Sequence, residues 1–318
     1  MSALARTVLV TGAAGLVGTH TVRALAARGW RVRAQVRDRA KAEARLAGSG
    51  AELVVGDLRD APFTAGAARG CDAVVHLAAI AIERRGQTYE AVNTDATRAL
   101  LAAARAAGVP RFLHMSQNGA SSASPHRFLR SKGLAEDAVR ASGLAFTVLR
   151  PSVIWGPEDE FVNVLARLVR LSPVFYPLPG GGVARFQPVW VGDVAEAVAE
   201  SLARDDMAGR SLALGGPAPL TLREMAATVL RAMDAHRLLV GIPVPLLRPM
   251  VALAERALPN PPVTTGLLAL LANDNVTPDN ALGRELAIAP APFSADRLSY
   301  LKGITLRSAL SSLFPSGA

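Results

Sequence analysis

Gly12, Gly15 and Gly18 fall in the run Thr11-Gly12-Ala13-Ala14-Gly15-Leu16-Val17-Gly18. Glycines at these spacings suit a main chain that must cradle a phosphate. Gly12 permits a sharp turn out of an apolar strand, Gly15 lets the backbone approach a pyrophosphate, and Gly18 lets the next helix pack closely. The N-terminus of that helix adds unpaired N–H groups and partial positive charge. Ala14, Leu16 and Val17 belong to the same candidate cradle. Three spaced glycines also fit a purely structural turn, but a strand before and a helix after, in a β-α-β unit, favour a dinucleotide.

The end of the second strand selects the ribose. An NAD site places an acidic side chain about 20 residues past the glycines, on the ribose 2′-hydroxyl. Here that stretch reads Val36, Arg37, Asp38, with Arg33 and Arg39 nearby. Arg37 can fork onto a 2′-phosphate. Asp38 turned inward would instead suit the hydroxyl, and a solvated basic loop is the plain alternative. The expectation is NADP(H) preferred over NAD(H).

Short apolar strands and Ala-rich helices must position these groups. Strands are expected at 7–10, 31–37, 53–55, 73–77, 111–115 and 146–149. Helices are expected at 16–28, 89–107 and 131–142. This alternation means right-handed crossovers and a doubly wound parallel sheet. After Pro151 the rhythm weakens. Residues 172–182 read as a Pro/Gly loop, 186–191 and 211–214 as further strands with a helix at 195–203 between them, and the stretch after Gly215 as a proline-punctuated helical tail. Residues 1–155, completed by about 186–215, are therefore expected to form the dinucleotide domain. Residues 156–185 and 216–318 form a smaller, mainly helical lobe.

The chain has 318 residues, half of them hydrophobic, which excludes an intrinsically disordered protein. The single cysteine, Cys71, excludes an intrachain disulfide framework. The net charge of +9 attracts phosphates or an anionic surface, but no run of adjacent Lys/Arg marks a nucleic-acid arm. The first ten residues carry no apolar signal segment. No stretch reaches the ~18 uninterrupted apolar residues of a spanning helix. A cytoplasmic protein is expected, with peripheral contact at the inner membrane face through the apolar segment 238–258 left open.

Together these motifs resemble the extended, atypical branch of the short-chain dehydrogenase/reductase superfamily, the NAD-dependent epimerase/dehydratase-like proteins. The residues that carry the resemblance are Gly12, Gly15 and Gly18; Gly56-Asp57-Leu58; His76-Leu77-Ala78-Ala79; Val92-Asn93; and Arg150-Pro151-Ser152 with Gly156. Residues 127–193 are most similar to the NAD(P)H-binding accessory subunits of respiratory complex I and their bacterial relatives. There the matching text is Arg130-Ser131-Lys132, Gly156-Pro157-Glu158-Asp159, Phe186-Gln187-Pro188-Val189 and Gly192-Asp193-Val194. Asn273-Asp274-Asn275-Val276 in the tail adds to the match. The resemblance implies a Rossmann-type fold, Asp57 and Leu58 beside the adenine, and Ala78 and Ala79 along the ribose and pyrophosphate. It implies Pro151 and Ser152 at the nicotinamide, Ser116 as the hydroxyl for a substrate carbonyl, and Lys132 on the nicotinamide ribose. A membrane-associated respiratory or quinone-biosynthesis complex is the implied partner.

The resemblance breaks at one position. Family members that transfer hydride use Tyr-x-x-x-Lys, and this chain has Phe128-Leu129-Arg130-Ser131-Lys132. Phenylalanine has no proton to exchange. The three tyrosines, Tyr89, Tyr176 and Tyr300, lack the spacing, though Tyr176 could fold back from the lobe. His126 is a candidate replacement, with an exposed loop histidine as the plain alternative. His20, His76 and His114 read as packed or hydrogen-bonded. Glu158, Asp159 and Glu160 read as a solvated helix start rather than a metal site, for they lack His or Cys partners. Two functions follow: an accessory or sensing protein that binds NADP(H), or an NADP-dependent reductase, dehydrogenase or epimerase with a rearranged proton donor.

Overall fold

The computed structural model describes residues 6–84 and 86–314. The chain divides into two units. The first comprises residues 1–151, 191–214 and 279–289, and the second comprises 152–190, 215–278 and 290–318. Relative to the expected lobe, the second unit lacks 279–289 and adds 152–155, 186–190 and 215.

The first unit runs β1 (Thr7–Thr11), α1 (Leu16–Ala27), β2 (Arg31–Val36), α2 (Arg39–Arg45), β3 (Glu52–Val55), α3 (Ala61–Ala68) and β4 (Ala73–His76). It continues with α4 (Ala96–Ala106), β5 (Arg111–Met115), α5 (Arg127–Arg140) and β6 (Ala145–Pro151). Helix Val191–Ala203 and strand Arg210–Leu214 complete it. The sheet is seven-stranded and wholly parallel, in the order Arg210–Leu214, β6, β5, β4, β1, β2, β3. Its central strands are covered on both faces, which is why Val8, Leu9 and Val10 are all buried rather than alternating. The direction of winding reverses between β1 and β4. In open α/β sheets ligands bind beyond the carboxyl ends of the strands at such a reversal.

Helix α4 departs from the expected 89–107 helix. The first part of that expected helix, Glu90–Asp95, is a π-helical turn that precedes α4. The cause is visible at Asn93, which is 1% exposed. Its side chain accepts the Ile80 N–H at 2.8 Å and donates to the Ile80 carbonyl at 3.1 Å and the Ser131 hydroxyl at 3.1 Å. Thr94 donates to the Ser131 carbonyl at 3.0 Å. One extra residue in the turn brings both side chains inward. Helices α2 and α3 are short and were not expected.

The second unit packs the helices Val162–Leu171, Leu222–Ala232 and Thr265–Leu271 around Tyr176, Leu178, Phe186 and Trp155. Three two-stranded ribbons support them. Phe175–Pro179, inside the expected loop, pairs in parallel with Leu238–Ile242. Pro177 and Pro179 are tolerated because a two-stranded ribbon leaves each strand with an unpaired edge. The expected strand 186–191 is broken at Pro188, which has no N–H to donate. Its halves, Arg185–Phe186 and Val189–Trp190, pair within this second unit. Among the described residues no helix is long and apolar enough to cross a membrane.

Candidate functional site

The glycine loop carries the geometry expected of it. Gly12 has φ of 67°, and a Cβ there would stand 2.9 Å from the Ala78 backbone nitrogen. Gly18 is tighter, for a Cβ would fall 2.2 Å from the Gly12 carbonyl oxygen. Gly15 donates to that same carbonyl at 2.9 Å and caps α1 without a side chain. The first intrahelical bond is Thr19 N–H to the Gly15 carbonyl at 3.0 Å. The N–H groups ahead of it have no intrahelical acceptor, and no acidic side chain occupies the first turn. A pyrophosphate fits this end of a 12-residue helix. Gly18→Ala must displace backbone, at a cost of at least the ~1–3 kcal/mol of an overpacked contact. Loss of NADPH binding by calorimetry, with a lowered melting temperature, is the expected result.

Gln35 is a loop-positioning residue that the sequence reading passed over. It is 3% exposed, accepts the Gly12 N–H at 3.3 Å and donates to the Gly56 carbonyl at 2.6 Å. It therefore ties the glycine loop to the end of β3. The available signal was a lone amide between the apolar Ala34 and Val36 near the strand's carboxyl end.

The basic cluster around β2 resolves into separate roles. Arg33 turns away, donating to the Ala67 and Arg69 carbonyls at 2.9 and 2.8 Å. Asp38 caps α2 by accepting the Lys41 N–H at 3.0 Å. Arg39 lies 3.6 Å from Glu43 on the α2 surface. Arg37 is exposed and stands near Asp57. Asp57 pairs with Arg59 at 2.6 Å. That bond, with a smaller contribution from Arg37, holds its carboxyl below the usual range. Leu58 is buried beside it. Ala78 and Ala79 follow β4, and the Thr11 hydroxyl accepts the Ala78 N–H at 3.4 Å.

Beyond β5 lies a buried polar cluster. Ser116 is 4% exposed, and its hydroxyl has no hydrogen-bond partner among the described residues. Lys132 is equally buried and donates from Nζ to the Met115 carbonyl at 2.6 Å. Burial lowers its pKa to about 8, against a partial upward pull from Glu136. Phe128 stands one helical turn before Lys132 on α5. Its ring packs on Tyr89, with centroids 5.7 Å apart. Tyr89, set aside on spacing, donates its hydroxyl to the Ala81 carbonyl at 2.9 Å and lies 5.9 Å beneath the Arg127 guanidinium. It is the tyrosine of the first unit.

Other candidates find ordinary structural uses. Tyr176 does not fold back. It is 1% exposed in the core of the second unit and donates to the Leu165 carbonyl at 3.2 Å. His126 precedes α5 without capping it. His76 is held between the Thr11 and Thr97 hydroxyls at 2.7 and 2.9 Å, and burial lowers its pKa to about 3. His114 is buried with both ring nitrogens unpartnered among the described residues. Asp159 corrects the solvated-start reading. It is 2% exposed and accepts N–H groups of Phe161, Val162 and Asn163, capping helix Val162–Leu171 from inside. No group of three or more His, Cys, Asp or Glu among the described residues is placed to hold a metal. Pro151 ends β6. Ser152, which opens the second unit, donates to the Asn275 carbonyl at 2.7 Å.

Residues 12–167 match the profile of a family described as NAD(P)H-binding. The mitochondrial NADH dehydrogenase (ubiquinone) 1 alpha subcomplex subunit 9 of Arabidopsis thaliana is 31% identical over 307 residues, covering 92% of this chain and 76% of that protein. Ceramide reductase of Caulobacter vibrioides is 38% identical over 167 residues, 52% of each chain. Among solved structures, dTDP-glucose 4,6-dehydratase from Streptomyces venezuelae with NAD bound superposes with a TM-score of 0.70 at 25% identity, covering 93% of this chain and 95% of that one.

Proposed function

Because the chain belongs to the NAD(P)H-binding, atypical extended short-chain dehydrogenase/reductase family, with the complex I alpha subcomplex subunit 9 proteins, we propose that it is a cofactor-holding accessory or sensing protein. The ligand is NADP(H), preferred over NAD(H), and the setting is a membrane-associated respiratory or quinone-linked assembly. The observation that carries this reading is Phe128, one turn before Lys132, where the family's proton-donating tyrosine belongs.

The residues fit the dinucleotide. The Gly12–Gly18 loop and the α1 N-terminus would take the pyrophosphate, Asp57 and Leu58 the adenine side, and Arg37 the 2′-phosphate. Ala78, Ala79, Pro151 and Ser152 would line the remainder, and Lys132 would meet the nicotinamide ribose. When bound, the reduced cofactor supplies a hydride. Without a phenol at position 128, this chain offers no group at the usual place to deliver the accompanying proton.

A second reading, an NADP-dependent reductase with a rearranged donor, is favoured by the Ser116 hydroxyl, unpaired among the described residues, the lowered pKa of Lys132 and Tyr89 packed on Phe128. A relative named ceramide reductase lends it support. Stopped-flow absorbance of bound NADPH with ketones, enones, quinones and nucleotide sugars separates the two. Stable NADPH supports the accessory role, and rapid oxidation by one acceptor class replaces it with the enzyme.

Cofactor choice is tested by Arg37→Ala. A charge-assisted hydrogen bond is worth about 1.5–3 kcal/mol, so NADPH affinity should fall by roughly 10- to 150-fold while NADH affinity is spared. Equal affinities of the native protein for both cofactors in titration calorimetry would remove the NADP(H) preference.

A further inference from the structure

The second unit holds a partly open apolar cavity of about 210 Å³. Its walls are helices Val162–Leu171, Val244–Ala257 and Thr265–Leu271 and strand Phe175–Pro179. Val164, Leu168, Leu247, Val251, Ala254 and Leu267 supply much of the lining, and Glu160 is its one charged residue. Such walls give water too few hydrogen-bond partners. An apolar cavity of ~150 Å³ already stays dry and takes up benzene or xenon. A polar ligand would leave its own groups unpaired inside. The chemistry that matches is hydrocarbon.

The helix Val244–Ala257 shows where the cavity opens. Met250 lines the cavity and is nevertheless 68% exposed. It lies in a surface stripe with Leu246 and Leu253, 64% and 68% exposed, at the four- and three-residue spacing of one helix face. The mouth is therefore flanked by apolar surface of a kind that marks interaction sites on soluble domains. Exposed Arg256 follows Leu253 by three residues, next to the stripe. Buried hydrocarbon walls, an apolar threshold and an adjacent cation match one ligand class in that order.

We propose that this cavity binds the hydrocarbon chain of an anionic amphiphile, with the head group outside near Arg256. The site is built from the second unit alone and does not rest on the dinucleotide reading. NADPH titration of the same sample reports on that reading separately.

The test is fluorescence titration of the full chain with dansyl-undecanoic acid, followed by displacement with octanoate, decanoate, dodecanoate and palmitate. Saturable one-to-one binding is expected. Displacement should strengthen about fourfold for each methylene that enters, then level off once the cavity is full. Val164→Phe and Ala254→Phe fill the cavity from opposing helices. Each ring displaces at least two methylenes and should weaken the probe about tenfold or more. Melting curves identify whether each variant is folded, and if neither is, the chain-length series on the native protein decides. Transfer of a dansyl lipid from anionic vesicles would make the bilayer the source of the chain, and binding of the free acid alone would make it a soluble amphiphile. Absence of saturable binding, affinity indifferent to chain length, or undiminished binding by both folded variants overturns the proposal. So does self-association by sedimentation that occupies the stripe while no probe binds.

Discussion

Phe128→Tyr should raise the rate of NADPH oxidation by a carbonyl acceptor by about 10²–10⁴, the range contributed by a positioned proton donor. The helix α5 already supplies the geometry. Residues 128 and 132 are four apart, so their side chains share a face one turn apart. Lys132 is fixed by its bond to the Met115 carbonyl, and the Ser116 hydroxyl has no competing partner among the described residues. The turn that presents Phe128 is itself braced, because the Ser131 hydroxyl donates to the Phe128 carbonyl at 2.7 Å while accepting from Asn93. The Phe128 ring is only half-buried, so one added hydroxyl meets no closed wall. Single-turnover absorbance of the variant against the native protein checks the rate. Adding Lys132→Met to the variant should cancel the gain. No gain in a variant that still binds NADPH would mean that Ser116 and Lys132 are not a reaction centre.

The parts of the fold that were readable share a physical reason. A parallel strand buried on both faces is a short apolar run, and a glycine whose Cβ would strike backbone can be nothing else. Val8–Val10, Gly12 and Gly18 are of this kind. The family resemblance added Asp57, Ala78 and Lys132 as site candidates through the motifs that they match.

The unread parts depend on single polar side chains meeting across distance. Asn93 shifts a helix into a π-helical turn by bonding Ile80 and Ser131, residues 13 and 38 positions away. Gln35 joins two loops 21 and 23 positions from itself. Asp159 reads as a solvated acid in the sequence because its acceptor role points into the protein, onto N–H groups that carry no sequence signal. The roles of Arg37, Asp38 and the nearby Arg33 are indistinguishable by charge pattern alone, and only the fold shows that Asp38 caps α2 and Arg33 bonds to α3. The second unit was least legible. Its strands are two to five residues long and interrupted by proline, so neither a period of two nor one of 3.6 develops.

Lys132→Met should stabilise the protein at neutral pH and lose most of that advantage in alkali. Lys132 is buried, and desolvation lowers its pKa from 10.5 to about 8. Glu136, one turn further on α5, offsets little of this because it is already shared by Arg140 at 2.9 Å and Arg150 at 2.8 Å. Below pH 8 the lysine is protonated in both folded and unfolded chains, so the folded state bears the whole cost of a buried charge. Between pH 8 and 10.5 the unfolded chain binds more protons than the folded one, and native stability rises with pH. A shift of this size corresponds to about 3 kcal/mol. Loss of the bond to the Met115 carbonyl returns about 1 kcal/mol, leaving a net gain of about 2 kcal/mol for the variant at pH 7. Urea unfolding of both proteins at pH 7 and near pH 10 checks it, with only their difference read so that other titrations cancel. A difference that stays constant across that interval would show that Lys132 keeps an ordinary pKa in the folded chain. A cost of this size, carried by a lysine that the cofactor-holding role alone would require, is the stability a protein gives up to keep a cation at its site.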